Sequence, residues 1–372
     1  MTGYDWKIAS REGELIPVAK PRLPRLDRIA PYIERIDQSR YYSNRGALSG
    51  ELEARLAAHA GDAATAVLVS NATLGLTLAL QSAGAAPGAY CATPAWTFAA
   101  TAHAIVLAGL KPWLVDVDPD SWALEPQILR RALDQARGPV TAVVPVAPFG
   151  SPIDPAPWEA FEQDTGIKVV LDAAAGFDRA RVSSCPTVVS LHATKSLGVG
   201  EGGYVLSSRP DLVGQVARRA NFGFQGSREA SMPGMNAKLS EHTAALGLAA
   251  LDEWPETRAE LARVATTYAG LLAGSGAELQ RGLGPGFVAT TAMVRLPQGR
   301  LRAVEQALTS DGIGSRRWWG GGLHRHAAFA GFPRTPTPQT DALAESVLGL
   351  PCWVDLADDE IARICRRVMD AV

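Results

Sequence analysis

The chain has 372 residues, of which 47% are hydrophobic and 20% are charged, and its 36 basic residues nearly balance its 38 acidic ones. This length predicts at least two packed units with a full hydrophobic core, and the composition excludes a disordered chain. A net charge of −2 gives no overall field that would attract nucleic acid or an anionic membrane. We therefore expect neither of them as a partner.

Cysteine spacing and the first residues indicate a cytoplasmic protein. Cys91, Cys185, Cys352 and Cys365 lie far apart and without C-x-x-C spacing, so we expect no disulfide framework and no structural zinc site. The start, Met-Thr-Gly-Tyr-Asp-Trp-Lys, lacks the basic residues and apolar run of a secretory signal. The stretch 63–110 has no acidic or basic residue except histidine, but polar residues and prolines divide it into pieces too short for a membrane span.

Short apolar segments alternate with helical patterns in the first half of the chain. An arm with a short helix in residues 1–35 and a helix at 49–60 come first. The predicted strands that follow are 66–69, 90–92, 112–116, 141–145, 167–171, 187–191 and 204–208. The predicted helices between them are 71–83, 96–107, 126–136 and 157–165. This alternation predicts a mostly parallel, doubly wound α/β sheet with functional loops at the carboxyl ends of its strands.

The pattern changes near residue 240. A helical segment from Leu239 to about Leu272 carries Pro255, where we expect the helix to break or bend. The later predicted elements are a strand at 288–295, a helix at 301–310, a loop rich in Gly, Trp, His and Pro at 314–340, a strand at 347–351 and a helix at 358–372. We therefore predict an N-terminal arm with a large domain in residues 1–250 and a smaller C-terminal α+β domain in residues 251–372.

Two residues that follow predicted strands are candidates for covalent chemistry. Lys195 precedes a glycine-rich turn, where partial desolvation would lower the pKa of its ammonium and supply the neutral amine that attacks a carbonyl. Asp172 ends the apolar run 169–171, at the edge where open α/β sheets bind ligands. Alone, such a lysine is more often solvated and such an aspartate more often caps a helix. Together they are what a pyridoxal phosphate (PLP) enzyme requires, namely a lysine for the Schiff base and an acid that keeps the pyridine nitrogen protonated.

A third segment could hold the phosphate of that cofactor. Residues 67–76 read as a strand, a polar turn and a helix, and free N–H groups at a helix start form an anion site with the hydroxyl of Thr73. Alone, this turn is ordinary helix capping.

The run 198–203 fits G-x-G-x-x-G, but a strand follows it, so we predict no Rossmann site. His324 and His326 lack a third ligand, and we predict no metal site.

Over nearly its whole length the chain resembles the DegT/StrS-type sugar aminotransferases, which are fold type I PLP enzymes. The matching segments keep the family's order and spacing, and they are 44–46 with 51–53, 70–73, 94–98, 115–118, 144–150, 172–175, 190–203, 236–251, 323–324 and 350–351. The resemblance implies an α/β fold type I transferase with PLP as cofactor. The stretch 44–46 is most similar to members that aminate C4 of a nucleotide-linked 4-keto-6-deoxy sugar.

The resemblance also implies a role for each matching residue. Lys195 would bind the cofactor covalently and shuttle the proton, and Asp172 would pair with the pyridinium. Phe98 would stack on the ring, with Trp96 as the second choice. Asn236 would reach the phosphate of the cofactor in the neighbouring subunit, which implies a homodimer with shared active sites.

The remaining implied residues bind the phosphate or the substrate. The phosphate would be held by Ala72, Thr73, Leu74 and Ser190, and the candidate substrate contacts are Lys238 and His324. The chain departs from the family at Ala175, where glutamine is usual, and at Lys238, where arginine is usual. The run 318–322, Trp-Trp-Gly-Gly-Gly, replaces a Tyr-Tyr-x-Pro-like run. Lysine cannot form the bidentate fork by which arginine binds a phosphate.

The sequence thus predicts a PLP-dependent aminotransferase that moves an amino group from an amino acid, with glutamate as the expected donor, to a nucleotide-linked keto-sugar. Three alternatives stay open at this stage. The substrate could be a keto-cyclitol or another natural-product ketone. A sugar dehydratase on the same scaffold would carry histidine in place of Lys195. A non-catalytic PLP-binding regulatory protein would not need the intact pair of Lys195 and Asp172.

Overall fold

A computed structural model describes residues 15–372 of the chain, so the first 14 residues of the predicted arm lie outside the described part. The helices are α1 Leu26–Ser39, α2 Ala47–Ala60, α3 Ala72–Ser82, α4 Ala99–Leu107, α5 Pro126–Ala132, α6 Ala156–Thr165, α7 Pro210–Arg219, α8 Glu241–Asp252, α9 Trp254–Leu272, α10 Leu301–Ser310, α11 Pro338–Ala344 and α12 Asp358–Ala371. The strands are β1 Thr65–Val69, β2 Tyr90–Pro94, β3 Lys111–Val115, β4 Val140–Val143, β5 Lys168–Val169, β6 Leu171–Asp172, β7 Thr187–Ser190, β8 Gly203–Ser207, β9 Glu278–Leu279, β10 Ala292–Arg295 and β11 Val347–Leu350.

A largely parallel sheet forms the centre of the described chain. It consists of two four-stranded parts, in which the strands have the orders β3-β2-β4-β5 and β6-β7-β8-β1. They meet where Asp172 bridges Val146 and where the N–H of Val170 bonds to the carbonyl of Val143. The strand pairs are parallel except that β8 runs antiparallel to both β1 and β7. The prediction of a mostly parallel sheet is therefore confirmed, with β8 as the reversed strand.

Alternate side chains of the strands face two different helical layers. In β1, Val67 and Val69 pack into the core formed with α3, α4 and α7, whereas Leu68 faces the layer of α2, α8 and α9. Successive side chains of a strand point to opposite faces, so a strand buried on both faces reads as an unbroken apolar run. This packing accounts for the stretch 63–110 as the core of a doubly wound sheet.

The C-terminal part contains an antiparallel sheet of order β11-β10-β9, against which α9, α10 and α12 contribute core residues. The predicted break near Pro255 is confirmed, since α8 ends at Asp252 and α9 begins at Trp254. Pro255 occupies the first turn of α9, where its missing N–H costs no intrahelical bond. The division between residues 250 and 251 falls inside α8 and stays a prediction.

Several element boundaries differ from the predictions for identifiable reasons. Helix α4 begins at Ala99 and not at residue 96, because the backbone is still extended at Phe98. The predicted strand 288–295 shortens to β10, because the N–H of Val288 bonds to the carboxylate of Asp178 and not to a strand. Helix α7 was not predicted, and α11 begins inside the predicted loop 314–340. Within the described chain, no helix has the length and apolar character needed to cross a bilayer.

Candidate active site

Asp172 ends β6 with only 4% of its surface exposed. Its Oδ2 accepts a hydrogen bond from the hydroxyl of Thr101 at 2.8 Å, and its Oδ1 accepts one from the N–H of Ala174 at 3.1 Å. Burial raises the pKa of this carboxyl, while the two hydrogen bonds and the charge of Lys195 lower it. An ionised carboxylate can accept further bonds, so Asp172 can bind a cationic N–H.

Lys195 lies in the turn between β7 and β8, where its N–H donates to the carbonyl of His192 at 2.8 Å. Its side chain is partly accessible. Burial lowers the pKa of its ammonium, and the charge of Asp172 raises it. Strands β6 and β7 are parallel neighbours, so Asp172 at the end of β6 and Lys195 after the end of β7 lie at the same edge of the sheet. A lysine whose pKa is lowered supplies more of the neutral amine that attacks an aldehyde.

The turn that carries Lys195 is fixed by residues that sequence analysis did not single out. The Nδ1 atom of His192 accepts the N–H of Thr194 at 3.2 Å and lies 2.8 Å from the Thr194 hydroxyl. The Thr194 carbonyl accepts a hydrogen bond from the hydroxyl of Thr290 at 2.5 Å. The N–H of His192 donates to the hydroxyl oxygen of Ser190 at 3.2 Å, which leaves the hydrogen of that hydroxyl available to an anion.

Helix α3 begins at the predicted phosphate site. Asn71 is its N-cap, and its side chain accepts the N–H of Leu74 at 2.9 Å. The N–H groups of Ala72 and Thr73 precede the first intrahelical donors and are oriented out of the helix start. Of the three predicted residues, Ala72 and Thr73 therefore offer free amides, while the amide of Leu74 is already used by the cap.

Gly203 joins this helix start to Ser190. It pairs with Val69 at the end of β1 and with Ser190 at the end of β7, so the three residues lie side by side at one sheet edge. A Cβ atom at Gly203 would lie only 2.8 Å from the nitrogen of Ala72. Glycine at this position allows β8 to approach the first turn of α3 closely, and it leaves the hydroxyl of Ser190 near the same anion site.

Phe98 and Trp96 occupy very different surroundings beyond the end of β2. Phe98 precedes α4 and is 59% exposed, so one face of its ring is free. Trp96 is 2% exposed and packs edge-on against Phe149 and Trp319, whose rings stack with centroids 3.8 Å apart. This geometry favours Phe98 as the residue that stacks on a ligand, and it accounts for Trp319 as buried packing.

Asn236 and Lys238 lie beside the start of α3. The carbonyl of the residue between them accepts the N–H of Ser70 at 2.8 Å. The side chain of Asn236 is exposed. Lys238 donates to Oδ1 of Asn221 at 3.0 Å and lies 4.5 Å from the ring centroid of Phe222, and burial lowers its pKa. These bonds stay within the neighbouring segment and do not reach Lys195 or Asp172.

His324 is held beyond the end of β2, because Leu323 donates its N–H to the carbonyl of Ala95 at 2.8 Å. The imidazole is almost fully buried, and its Nε2 lies 3.0 Å from Oδ1 of Asp341. Its Nδ1 is buried and has no hydrogen-bond partner in the described chain. An unpaired buried nitrogen is costly, and the role of His324 as a substrate contact stays a prediction. Among residues 15–372, no cluster of three or more His, Cys, Asp or Glu side chains could hold a metal ion.

Lys195 and the buried Asp172 follow neighbouring parallel strands, and the start of α3 lies at the same edge of the doubly wound sheet. This arrangement is typical of fold type I enzymes, which use PLP. The chain belongs to the DegT/DnrJ/EryC1/StrS aminotransferase family, whose model matches residues 26–369. It is an aminotransferase, and the resemblance noted in the sequence is confirmed.

Relatives and solved structures support the same conclusion. The dTDP-4-amino-4,6-dideoxy-D-glucose transaminase of Shigella dysenteriae is 35% identical over 63% of this chain and 64% of its own length. A Bacillus cereus structure assigned as a PLP-dependent aminotransferase superposes with a TM-score of 0.90 and 28% identity, covering 95% of this chain and 100% of the other. The structure of DesI with its TDP-sugar product gives a TM-score of 0.86 and 30% identity, covering 96% of this chain and 92% of the other.

Proposed function

We propose that this aminotransferase uses PLP to move an amino group from L-glutamate to a nucleotide-linked 4-keto-6-deoxy sugar. The observation that carries the proposal is the arrangement of two neighbouring parallel strands, because the buried Asp172 ends β6 and Lys195 lies in the turn that follows β7. A structural ion pair on the surface would show neither the burial nor the neighbouring anion site.

The side chains at this edge offer each group that PLP requires. Asp172 can accept the pyridine N–H, Lys195 can react with the aldehyde, and Phe98 presents a free ring face. The groups suited to the phosphate are the amides of Ala72 and Thr73 and the hydroxyl of Ser190. When bound, PLP supplies an electron sink that makes the α-carbon of an amino acid acidic.

The protein's own residues then control proton positions. The Nζ of Lys195 accepts the proton of the donor α-carbon, and its lowered pKa keeps enough of the amine neutral for this role. Asp172 holds a proton on the pyridine nitrogen by accepting its hydrogen bond. Thr194, fixed by His192 and Thr290, limits the backbone freedom of Lys195.

A homodimer with shared active sites forms part of the proposal. Asn236 is exposed at the rim of the anion site, where it can reach the cofactor of a second subunit. Large apolar side chains on α4 are exposed as well, with Val106 at 46% and Leu107 at 57%. Exposed apolar patches often mark interfaces. We place the enzyme in the cytoplasm, where its cysteines, all buried and free, would stay reduced.

The substrate assignment draws on the transaminase relatives and on Lys238 and His324 as candidate contacts. Lysine in place of the family's arginine leaves a keto-cyclitol or another natural-product ketone as the second candidate, because lysine binds a diphosphate less specifically. The dehydratase alternative is disfavoured by Lys195 itself. The non-catalytic alternative is disfavoured by the intact pair of Lys195 and Asp172.

The test is amine transfer from L-glutamate to a panel of nucleotide keto-sugars and keto-cyclitols, with products identified by mass. We expect an amino-sugar from the wild type, none from Lys195→Ala, and unchanged turnover for the matched control Lys111→Ala, whose lysine is exposed at the start of β3. Amination of cyclitols alone would remove the sugar-nucleotide assignment. Binding of PLP without amine transfer to any ketone would support the regulatory alternative.

A further inference from the structure

Two buried threonine hydroxyls form a chain that ends on the carboxylate of Asp172. Thr97 and Thr101 are each 1% exposed, and their Oγ atoms lie 3.0 Å apart. The Thr101 hydroxyl donates to Oδ2 of Asp172 at 2.8 Å. A hydroxyl carries one hydrogen, so while Thr101 donates to the carboxylate, Thr97 must be the donor to Thr101. Hydrogen bonds aligned in this way polarise one another and become stronger.

The start of α4 places this chain of hydroxyls next to the cofactor site. Thr97 and Thr101 lie on either side of Phe98, the N-cap of the helix. Thr101 is in the first turn of α4, where unpaired N–H groups and the helix dipole favour a nearby negative charge. One helix start therefore carries both the exposed ring of Phe98 and the hydroxyl that contacts Asp172.

Asp172 needs such support because it is buried. Burial raises the pKa of its carboxyl, and the hydrogen bond from Thr101 is the foremost of the influences that lower it, ahead of the N–H of Ala174 and the charge of Lys195. A protonated carboxyl would present its own hydrogen to the pyridine nitrogen and could not accept the pyridinium N–H.

We propose that Thr101, supported by Thr97, is a positioning residue that keeps Asp172 ionised and oriented toward the pyridine nitrogen of the cofactor. This inference rests on the proposed function, since bound PLP supplies the N–H that Asp172 accepts. Thr101 acts through Asp172, and its contribution is an electrostatic one that can be separated from its contribution to packing.

Valine and serine substitutions separate these two contributions. Thr101→Val keeps the shape and removes the hydroxyl, Thr101→Ser keeps the hydroxyl, and Thr97→Val removes only the outer donor. Thr93→Val is the matched control, because Thr93 is fully buried and donates to the Val144 carbonyl at 3.2 Å and not to Asp172. Each variant is titrated with PLP, and the visible absorbance of the bound cofactor is followed against pH. The urea midpoint of each apoprotein is measured from pH 4 to pH 8.

For Thr101→Val we expect PLP to bind about tenfold more weakly or worse, since one hydrogen bond to a charged group is lost. The absorbance profile should also shift with pH. Thr101→Ser should stay within about threefold of wild type, and Thr97→Val should fall between them. An acid whose pKa is higher in the folded than in the unfolded protein makes the fold less stable as pH rises. The apoprotein of Thr101→Val should therefore lose stability relative to wild type increasingly from pH 4 to pH 8, whereas Thr93→Val should show a constant difference.

Equal PLP affinity and equal pH profiles for Thr101→Val and wild type would overturn the inference, as would an equal loss of affinity in Thr93→Val. If Thr101→Val does not fold, the test rests on Thr97→Val. A wild-type PLP affinity and pH profile in Thr97→Val would then count against the chain of hydroxyls. Failure of the wild type to bind PLP would instead refute the proposed function, so the two failures are distinguishable.

Discussion

Glu241 is a buried carboxylate that caps a helix from a distant part of the chain. It is 2% exposed, and its oxygens accept the N–H groups of Gly46, Leu48 and Ser49 at 3.0, 2.8 and 3.2 Å, as well as the hydroxyl of Ser49. These groups form the start of α2, whose N-cap Gly46 has no side chain to do this. A Cβ at Gly46 would lie 2.7 Å from the Glu241 carboxyl, so the close contact requires glycine.

Replacement of Glu241 by glutamine should therefore be costly although the shape is conserved. The amide oxygen can keep the bonds to Gly46 and Ser49, but the NH₂ group must then face the N–H of Leu48. One buried donor is left unpaired, and the remaining bonds lose their ionic character. From the usual cost of such losses we expect the free energy of unfolding to fall by about 3 kcal/mol. The melting temperature should fall by about 4 °C.

The assay is urea unfolding and thermal unfolding of Glu241→Gln beside Glu51→Gln. Glu51 lies on α2, the helix that Glu241 caps, and pairs with Arg35 at 2.7 Å, and both side chains are partly exposed. Such a pair contributes less than about 1 kcal/mol. Equal stability of the two variants would refute the capping argument.

Three further predictions concern the site and the pH dependence of stability. Asp172→Asn should lose turnover but gain apoprotein stability relative to wild type as pH rises from 4 to 8, because burial raises the pKa of Asp172 and penalises its charge. His192→Leu should lower turnover about a hundredfold by releasing Thr194, while His192→Asn, whose Oδ1 can replace Nδ1 as acceptor, should stay near wild type. His59 stacks on Phe177, and burial lowers its pKa, so wild type should lose stability as pH falls below about 6.5. Urea midpoints should show a shallower acid loss in His59→Phe, and an unchanged slope would contradict this explanation.

The central sheet could be predicted from the sequence because its strands are buried on both faces. Runs such as Val67–Val69 are short, apolar and followed by turns, and this pattern has few other interpretations. The strand predicted at 288–295 was too long, because the N–H of its first residue, Val288, bonds to the carboxylate of Asp178 and not to a neighbouring strand. An apolar run indicates that a segment is buried. It does not indicate whether the backbone of that segment forms its hydrogen bonds with a strand or with a loop.

The positions of Asp172 and Lys195 could also be predicted, because each follows a strand that ends at the same edge of the sheet, whereas their catalytic roles stay a prediction. The roles of Thr101 and His192 were not predicted. A threonine in the first turn of a helix and a histidine in a turn are common, and only the fold shows that they contact Asp172 and Thr194. The preference for Phe98 over Trp96 was already implied by the family resemblance, and the exposure of the two rings supports it.

Covalent attachment of the cofactor to Lys195 can be tested by chemical labelling. The purified protein is loaded with PLP, reduced with borohydride and digested, and the modified peptide is identified by mass. We expect the pyridoxyl group on Lys195 in the wild type. In Lys195→Ala, which keeps Asp172, we expect no modified peptide. Attachment to another lysine, or no attachment in a protein that still transfers amine from glutamate, would show that Lys195 is not the residue that binds the cofactor.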